Sequence, residues 1–514
     1  MIQQFFGKPF WITLAALAVF FALSAAVFQT VFAPVLLVAV IIAVFILSWC
    51  DLSLGLFIAF AELFANSHGH LVSAELGDFS FSLRMAIFAA VMAVFFIKLI
   101  RRQIKIKKND QRLLAFAFLA VAVLFGFMQA APNGWSQAFA DGNAYFYMLY
   151  VLPILAVPWD ALSQRRLLQV LAASAIWVAV LSLFLLYMFT HLEPVFLSHV
   201  YKFIRDTRTG EMTLMAEGGF FRIFLPAQFS VLLFLFLLLP FFWMKRLRQN
   251  KETLLEIFLI GLCIAVALLS LSRSFWVGII AGGIVFLILA VKFLKDRELG
   301  KVMLKSAAAL VSSAVILLFF VLFPWPQRSG SFWLLGLLFS NRATEMEDVA
   351  ISSRWQLLPP LWEEIKKQPI VGQGFGKEVE FITDDPRARA ISPDGRWRTY
   401  ALEWGYLELW LKMGLLGPTA FILLFIASFK GLLPLLKSER AWLGVGFLSA
   451  LVFLYATHVF SPYLNHPLGL GFLLFLVPFC QEKIFEVEKV QVVSLLQNRS
   501  LNVGVAKDEL TGIN

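Results

Sequence analysis

The chain has 514 residues, 60% of them hydrophobic and only 15% charged, with mean hydropathy +0.81 and 55 phenylalanines. That is more apolar surface than a water-soluble fold can hide, and the apolar runs have the length of bilayer-crossing helices. The net charge of +10 sits mostly in short Lys/Arg clusters between those runs, as topology signals and anionic-lipid contacts do, which argues against a nucleic-acid-binding protein. Cys50, Cys263 and Cys480 fall in or beside apolar runs without metal-ligand spacing, so neither disulfides nor a zinc site are expected.

Backbone in hydrocarbon must satisfy its own hydrogen bonds, so each long apolar run is predicted to be helical. In chain order the predicted spans are Pro9–Phe28, Val31–Trp49, Leu52–Phe64, Met85–Ile100, Leu113–Ala131, Ala144–Trp159, Leu167–Thr190, Ile223–Met244, Leu254–Leu271, Phe275–Lys292, Val302–Phe323, Ala401–Phe429, Ala441–Phe460 and Pro467–Phe479, about fourteen in all. The first is longer than a signal-peptide core and is followed at once by another, so it is read as a retained helix. Leu52–Phe64 and Pro467–Phe479 are short for a full crossing and are expected to tilt or re-enter. Basic clusters at Arg101–Lys108, Arg165-Arg166, Lys245–Arg248, Lys292–Lys305 and Lys430–Arg440 fall on every second connection, whereas Asn66–Ser82, Pro132–Asn143 and Ser461–Pro467 hold no Lys or Arg. The positive-inside rule then puts both termini in the cytoplasm, and the loop His191–Arg222, the turn Ser272-Arg273-Ser274 and the excursion Pro324–Tyr400 on the outer face. The expected organisation is a transmembrane bundle of about eleven helices over 1–323, a large extracytoplasmic loop over 324–400, further membrane helices over 401–480 and a polar cytoplasmic tail over 481–514.

Within the excursion, Ser352–Lys367 is predicted to be a short helix. Ser352 or Ser353 caps it, Leu357, Leu358, Leu361 and Ile365 form its apolar face, Pro369 stops it, and Pro359-Pro360 is expected to kink or split it. Gly372, Gly374 and Gly376 follow as a flexible turn; with no strand before them they are not a nucleotide signature. Charged groups beside apolar runs need a reason. Arg222, in G-G-F-F-R-I-F-L-P, is either a snorkelling anchor or a ligand-binding group. Arg273, in L-S-L-S-R-S-F-W, lies in a turn too short to be a free loop and either bonds helix-end carbonyls or faces a cavity. Two guanidiniums aimed into one outward-facing cavity suit a diphosphate, because arginine keeps its charge and its planar fork bonds phosphate oxygens in pairs. Glu403 is expected to open the helix after the excursion, where the helix dipole favours a carboxylate; in a partly dry cavity it would approach the pKa of a useful general base. Glu408 reads as a buried hydrogen-bonded group or a cavity lining, His458 and His466 as interfacial groups or alternative bases, and Asp384-Asp385 as an exposed turn or a divalent-ion pair.

Arg222, then S-R-S with Arg273, then Arg354 and Trp355 at the head of the loop helix, then P-I-V-G-Q-G-F-G, then E-W-G-Y-L-E-L-W-L-K-M-G-L-L-G stand in the order found in the O-antigen ligase and Wzy-like polysaccharide polymerase superfamily, which the chain resembles over roughly 217–417. It departs where that family has a His-Asn pair, with Glu403-Trp404 in its place, and it has more predicted spans than the ligases usually have. The resemblance implies an all-α, polytopic, GT-C-like protein of the bacterial inner membrane. It would move a glycan from undecaprenyl diphosphate to an acceptor hydroxyl at the outer face. Carried over residue by residue, it makes Arg222 and Arg273 the holders of the departing lipid diphosphate and assigns Arg354, Trp355 and Tyr406 to substrate binding; His466, outside the likeness, is a further candidate for substrate binding. Glu403 then takes the acceptor's proton in place of histidine. In-line displacement would invert the anomeric centre, and the arginines would supply the charge that a metal supplies elsewhere, so no metal or other cofactor is expected. The implied partners are the lipid-linked glycan donor, a glycan or lipid acceptor and membrane lipids, with no nucleic acid. Ligase and polymerase share this frame. The other readings are a lipid-linked oligosaccharide flippase or exporter, whose charges should line a central cavity from both faces, and a non-catalytic scaffold of polysaccharide assembly.

Overall fold

The computed structural model describes residues 4–77, 79–106, 110–214, 221–244, 250–294, 299–326 and 349–480. Among them, ten helices are long and apolar enough to cross a membrane and three apolar helices are shorter. The chain is an all-α, multi-pass membrane protein. The predicted tail 481–514, the early part of the excursion (327–348) and parts of three basic connections (107–109, 245–249 and 295–298) lie outside the described residues.

At the edge of the bundle stand α1 (Lys8–Val27) and α2 (Ala33–Cys50), which bury only Phe10 and Ser24, and Leu37, Val44 and Ser48, respectively. Next come α3 (Leu52–Ala65), the hairpin β1 (Ser73–Leu76) and β2 (Phe79–Ser82), α4 (Leu83–Ile100), α5 (Gln111–Met128) and α6 (Trp135–Gly142). A run of tight helical turns at Asn143–Tyr150 leads through α7 (Val151–Ala156) to the 31-residue α8 (Ala161–His191). The hairpin β3 (Glu211–Leu214) and β4 (Phe221–Phe224) follows α9 (Pro194–Asp206) and precedes α10 (Gln228–Trp243), α11 (Asn250–Ser270), α12 (Arg273–Phe293) and α13 (Leu299–Leu322). After the excursion's α14 (Val349–Lys367), β5 (Val379–Ile382), α15 (Pro386–Ile391) and β6 (Arg396–Thr399) come α16 (Gly405–Met413), α17 (Leu416–Leu432), α18 (Ala441–His458) and α19 (Pro467–Leu476). The centre is α8, α10, α18 and α19: apolar on nearly all sides, they are buried along most of their lengths, as such helices must be inside a bundle. The excursion has a hydrophobic cluster of its own, in which Leu357, Leu361 and Ile365 of α14 meet Val379, Phe381, Leu402 and Leu411.

Four predicted elements differ. Ala144–Trp159 is not one span: Pro153 has no N–H for a helical ladder, and Tyr145, Tyr147 and Tyr150 turn into the core from the tight turns before it. Ile223–Met244 loses its start to β4, where Ile223 pairs with Met212; Pro226 ends the strand and the helix begins only at Gln228. Ala401–Phe429 divides at Gly414 (φ +60°), where a Cβ would lie 2.0 Å from the Ile370 carbonyl oxygen. The first helix of that pair starts at Gly405, so Glu403 precedes it instead of opening it, and Glu408 occupies its first turn. Finally, α14 starts at Val349, ahead of the expected serine cap, and passes through Pro359 and Pro360 as one helix. Its apolar face packs on β5 and α16, and that packing outweighs the backbone bonds the prolines remove.

Candidate active site

Arg222 lies on β4 opposite Thr213. The buried Gln228 clamps the end of this hairpin: its amide donates to the Ile223 carbonyl and to Ser182 Oγ, each at 3.1 Å, and its oxygen accepts the Leu225 N–H. Arg222 Nε donates to the Ser270 carbonyl at 2.8 Å, and its guanidinium lies 5.0 Å from the Phe224 ring centre. That carbonyl closes α11 three residues before Arg273, the first residue of α12. The intervening turn is tied by Ser272 and Ser274, whose hydroxyls share a hydrogen bond at 3.0 Å, and Ser461 Oγ donates to Ser274 Oγ at 2.9 Å. Two of its features oppose stability: Leu271 is held at φ +46°, rare for a branched side chain, and a cation in a helix's first turn faces the positive end of the dipole. Local strain of this kind clusters where function requires it.

Glu403 lies elsewhere. It forms an ion pair with Arg354, its side chain about half exposed at 51%, so the partly dry setting expected for a base is not what surrounds it. Trp404 Nε1 donates to the Arg354 carbonyl at 2.9 Å, and Trp355 and Trp404 meet edge to face with ring centres 5.2 Å apart. Ser353, Arg354, Thr383, Asp385, Thr399 and Glu403 supply the polar lining of a cavity of about 170 Å³ between α14 and the β5–β6 hairpin. The structure thus joins Arg222 with the Arg273 turn, and Glu403 with Arg354 and Trp355. Between the two groups runs the segment after α18: Phe460 packs on Trp404 at 5.6 Å while Ser461 holds the Arg273 turn.

Tyr406 is turned away from the Glu403 cavity. Its hydroxyl donates to the Tyr455 carbonyl at 3.0 Å and its ring meets His458 at 4.7 Å, locking α16 onto α18. His458 is fully buried, and its Nδ1 accepts the Leu464 N–H at 3.1 Å. His466 caps α19 and contacts His68 at 3.0 Å. Asp384 pairs with Arg389, and no cluster of metal-ligating side chains occurs among the described residues.

The glycine run is a docking strap. Gly372, Gly374 and Gly376 all have φ between 76° and 83°, and a Cβ on them would lie 2.4 Å from Gly414 N, 2.5 Å from the Gln129 carbonyl carbon and 2.9 Å from Ala138 N, respectively. Asn133 donates to the carbonyls of Gln373 and Phe375, and Asp141 accepts the Gly376 N–H at 2.8 Å. Asp141 and Glu408 both pair with the buried Lys412. Asp141 and Lys412 carry no motif of their own in the sequence; the four-residue spacing of Glu408 and Lys412 on an apolar helix is the available signal.

Residues 258–422 match the family model described as O-Antigen ligase. That segment is similar to an O-antigen ligase domain. Neither a curated protein nor a solved structure matches the chain. The matched segment opens in α11, takes in the Arg273 turn, α14 with Arg354, the strap and Glu403, and closes in α17, while Arg222 and the α1–α10 half lie ahead of it. The match supports the O-antigen ligase/Wzy-like superfamily, a family that implies in general terms a lipid-linked glycan and an acceptor as partners, and a glycosyl-transfer type of activity.

Proposed function

We propose that the chain is a glycosyltransferase of the ligase or polymerase type, working at the outer face of a bacterial inner membrane with both termini in the cytoplasm. The donor is a glycan on undecaprenyl diphosphate. The acceptor oxygen forms a bond to the anomeric carbon as the bond to the diphosphate oxygen breaks, that oxygen keeping the electron pair; Glu403 takes the acceptor's proton, and Arg222 and Arg273 hold the leaving diphosphate. The reading rests on the hydrogen bond from Arg222 to the Ser270 carbonyl, which brings the hairpin arginine to the turn that carries the second one. Such fixed cations stabilise charge developing on a leaving oxygen without reorganising. Because the Glu403 carboxylate is engaged by Arg354, the acceptor must displace Arg354 to reach it as it enters the 170 Å³ cavity.

The test is glycan transfer by the purified full chain from an undecaprenyl-diphosphate-linked donor. Arg222→Ala, Arg273→Ala and Glu403→Gln should each lower the rate by about a hundredfold or more with membrane insertion intact, and EDTA should leave the wild type unaffected. Wild-type rates in all three variants reject the site, and activity lost in EDTA but restored by Mg²⁺ or Mn²⁺ rejects the metal-free mechanism.

A further inference from the structure

A second cationic cluster lies at the loop between α3 and β1, in the half of the chain that precedes the matched segment. Arg84, 6% exposed, pairs through Nε and Nη2 with the buried Glu62 (3.0 and 3.1 Å) and also donates to the carbonyls of Asn66 (2.5 Å) and Ser67 (3.2 Å). Four of its five N–H donors are therefore spent on shaping the loop that presents His68. The tautomers follow from the hydrogen bonds. His466 Nδ1 accepts the Leu468 N–H at 3.3 Å, so a neutral His466 carries its proton on Nε2 and donates it to His68 Nδ1, 3.0 Å away. A neutral His68 must then carry its own proton on Nε2, and the residue is exposed. A neutral imidazole capping a helix N-terminus is kept neutral by the dipole, and the arrangement leaves the His68 Nε2–H as the ring's donor. The protein packed around both histidines, with the Arg84 and Arg208 cations, holds His68 and His70 down to about 4. Arg208 is exposed, in a turn where its backbone takes φ +52°. That turn leads into β3, whose Thr213 faces Arg222.

Asn66 and Leu71, which bracket this loop, line one end of a cavity of about 1100 Å³ between α1, α2, α3 and α8. Its walls are almost wholly apolar. They run along α1 from Lys8 to Leu23, sixteen residues or about 24 Å, which exceeds the roughly 15 Å of one leaflet's hydrocarbon. An acyl chain entering from the far end at Lys8, Arg165 and Arg166 would stop near the midplane, whereas a polyprenyl chain descending from the His68 end fills the length. Asn66 is 2% exposed and its side chain meets Glu62, a polar side chain buried at the mouth of an apolar groove.

We propose that His68 and Arg208 form a loading site for a lipid diphosphate whose polyprenyl chain lies in the groove between α1, α2, α3 and α8, with His466 as the positioning residue that fixes the His68 tautomer. The proposal rests on the donor class named under Proposed function. The experiment is competition binding of labelled, glycan-free undecaprenyl diphosphate to the full chain in zwitterionic-lipid nanodiscs. His68→Ala and Arg208→Ala should each weaken binding about tenfold or more, the loss of one charge-assisted hydrogen bond. His466→Asn, which keeps the helix cap but cannot relay the tautomer, should weaken it too, with folding judged by an unchanged elution profile. Inorganic pyrophosphate should compete only weakly, and phosphatidylglycerol not at all. Wild-type affinity in both His68→Ala and Arg208→Ala overturns the site; effective competition by phosphatidylglycerol makes the groove a phospholipid site and overturns the occupant; competition by pyrophosphate as strong as by the lipid overturns the role of the groove. A wild-type chain that does not bind undecaprenyl diphosphate at all refutes the donor class itself, which distinguishes failure of that reading from failure of this one.

Discussion

Lys412 offers the sharpest test of how the candidate site is held. Its side chain is 2% exposed, with Nζ 2.5 Å from Asp141 Oδ1 and also bonded to Glu408, and those two carboxylates are 7% and 6% exposed. Lys412→Met keeps most of the apolar stem and removes only the ammonium, leaving two buried carboxylates face to face. Removing one partner of a buried ion pair costs about 3–5 kcal/mol, because the remaining charge keeps its desolvation penalty without compensation. The triple variant Asp141→Asn, Glu408→Gln, Lys412→Met holds no buried charge there and should return to within about 1–2 kcal/mol of wild type, a strongly non-additive result. The assay is reversible unfolding of the purified chain in mixed micelles by SDS titration. A loss below about 1 kcal/mol for Lys412→Met, or a triple variant at least as unstable as Lys412→Met alone, would refute the claim that the triad is a buried charge network. Because Asp141 also accepts the Gly376 N–H, glycan transfer by Lys412→Met should fall together with its folded fraction.

Two further outcomes follow from the same geometry. Gly374→Ala places a Cβ 2.5 Å from backbone at φ +83° and should cost about 2–4 kcal/mol, whereas Gly283→Ala, with open space around it inside α12, should be neutral or stabilise by up to about 1 kcal/mol; equal behaviour of the two in the same titration would contradict the strap. His68 and His70 titrate lower in the folded chain than their ordinary value of 6.5, so between about pH 6.5 and pH 4 the unfolded chain binds more protons and stability must fall as pH falls. This contribution is complete above pH 6.5, and a His68→Asn, His70→Asn double variant should flatten the stability–pH curve in that window; an unchanged slope would show that these histidines are not held neutral.

Run length and composition alone determined that this chain crosses a membrane many times, because no soluble core can hide such runs and only helices satisfy their own backbone in lipid. The order of Arg222, Arg273, Arg354, the glycine strap and Glu403 was equally legible, and the match over residues 258–422 agrees with the superfamily it suggested. Local exceptions to helix were harder to read. Proline and glycine signal a break at Pro153, Pro226 and Gly414, but Pro359 and Pro360 carry the same signal inside an intact helix. Packing decides between the two outcomes, and packing is not local.

Which charges meet was decided only by the tertiary structure. Glu403 finds Arg354 forty-nine residues away, Lys412 finds Asp141 across 271, and His466 finds His68 across 398. Hydrophobic periodicity states which face of a helix is buried and is silent on which distant loop arrives there. In a bundle where most of each sequence is interchangeable apolar surface, a few polar contacts set the arrangement at the loop ends, because an unpaired charge there costs more than any single apolar contact supplies.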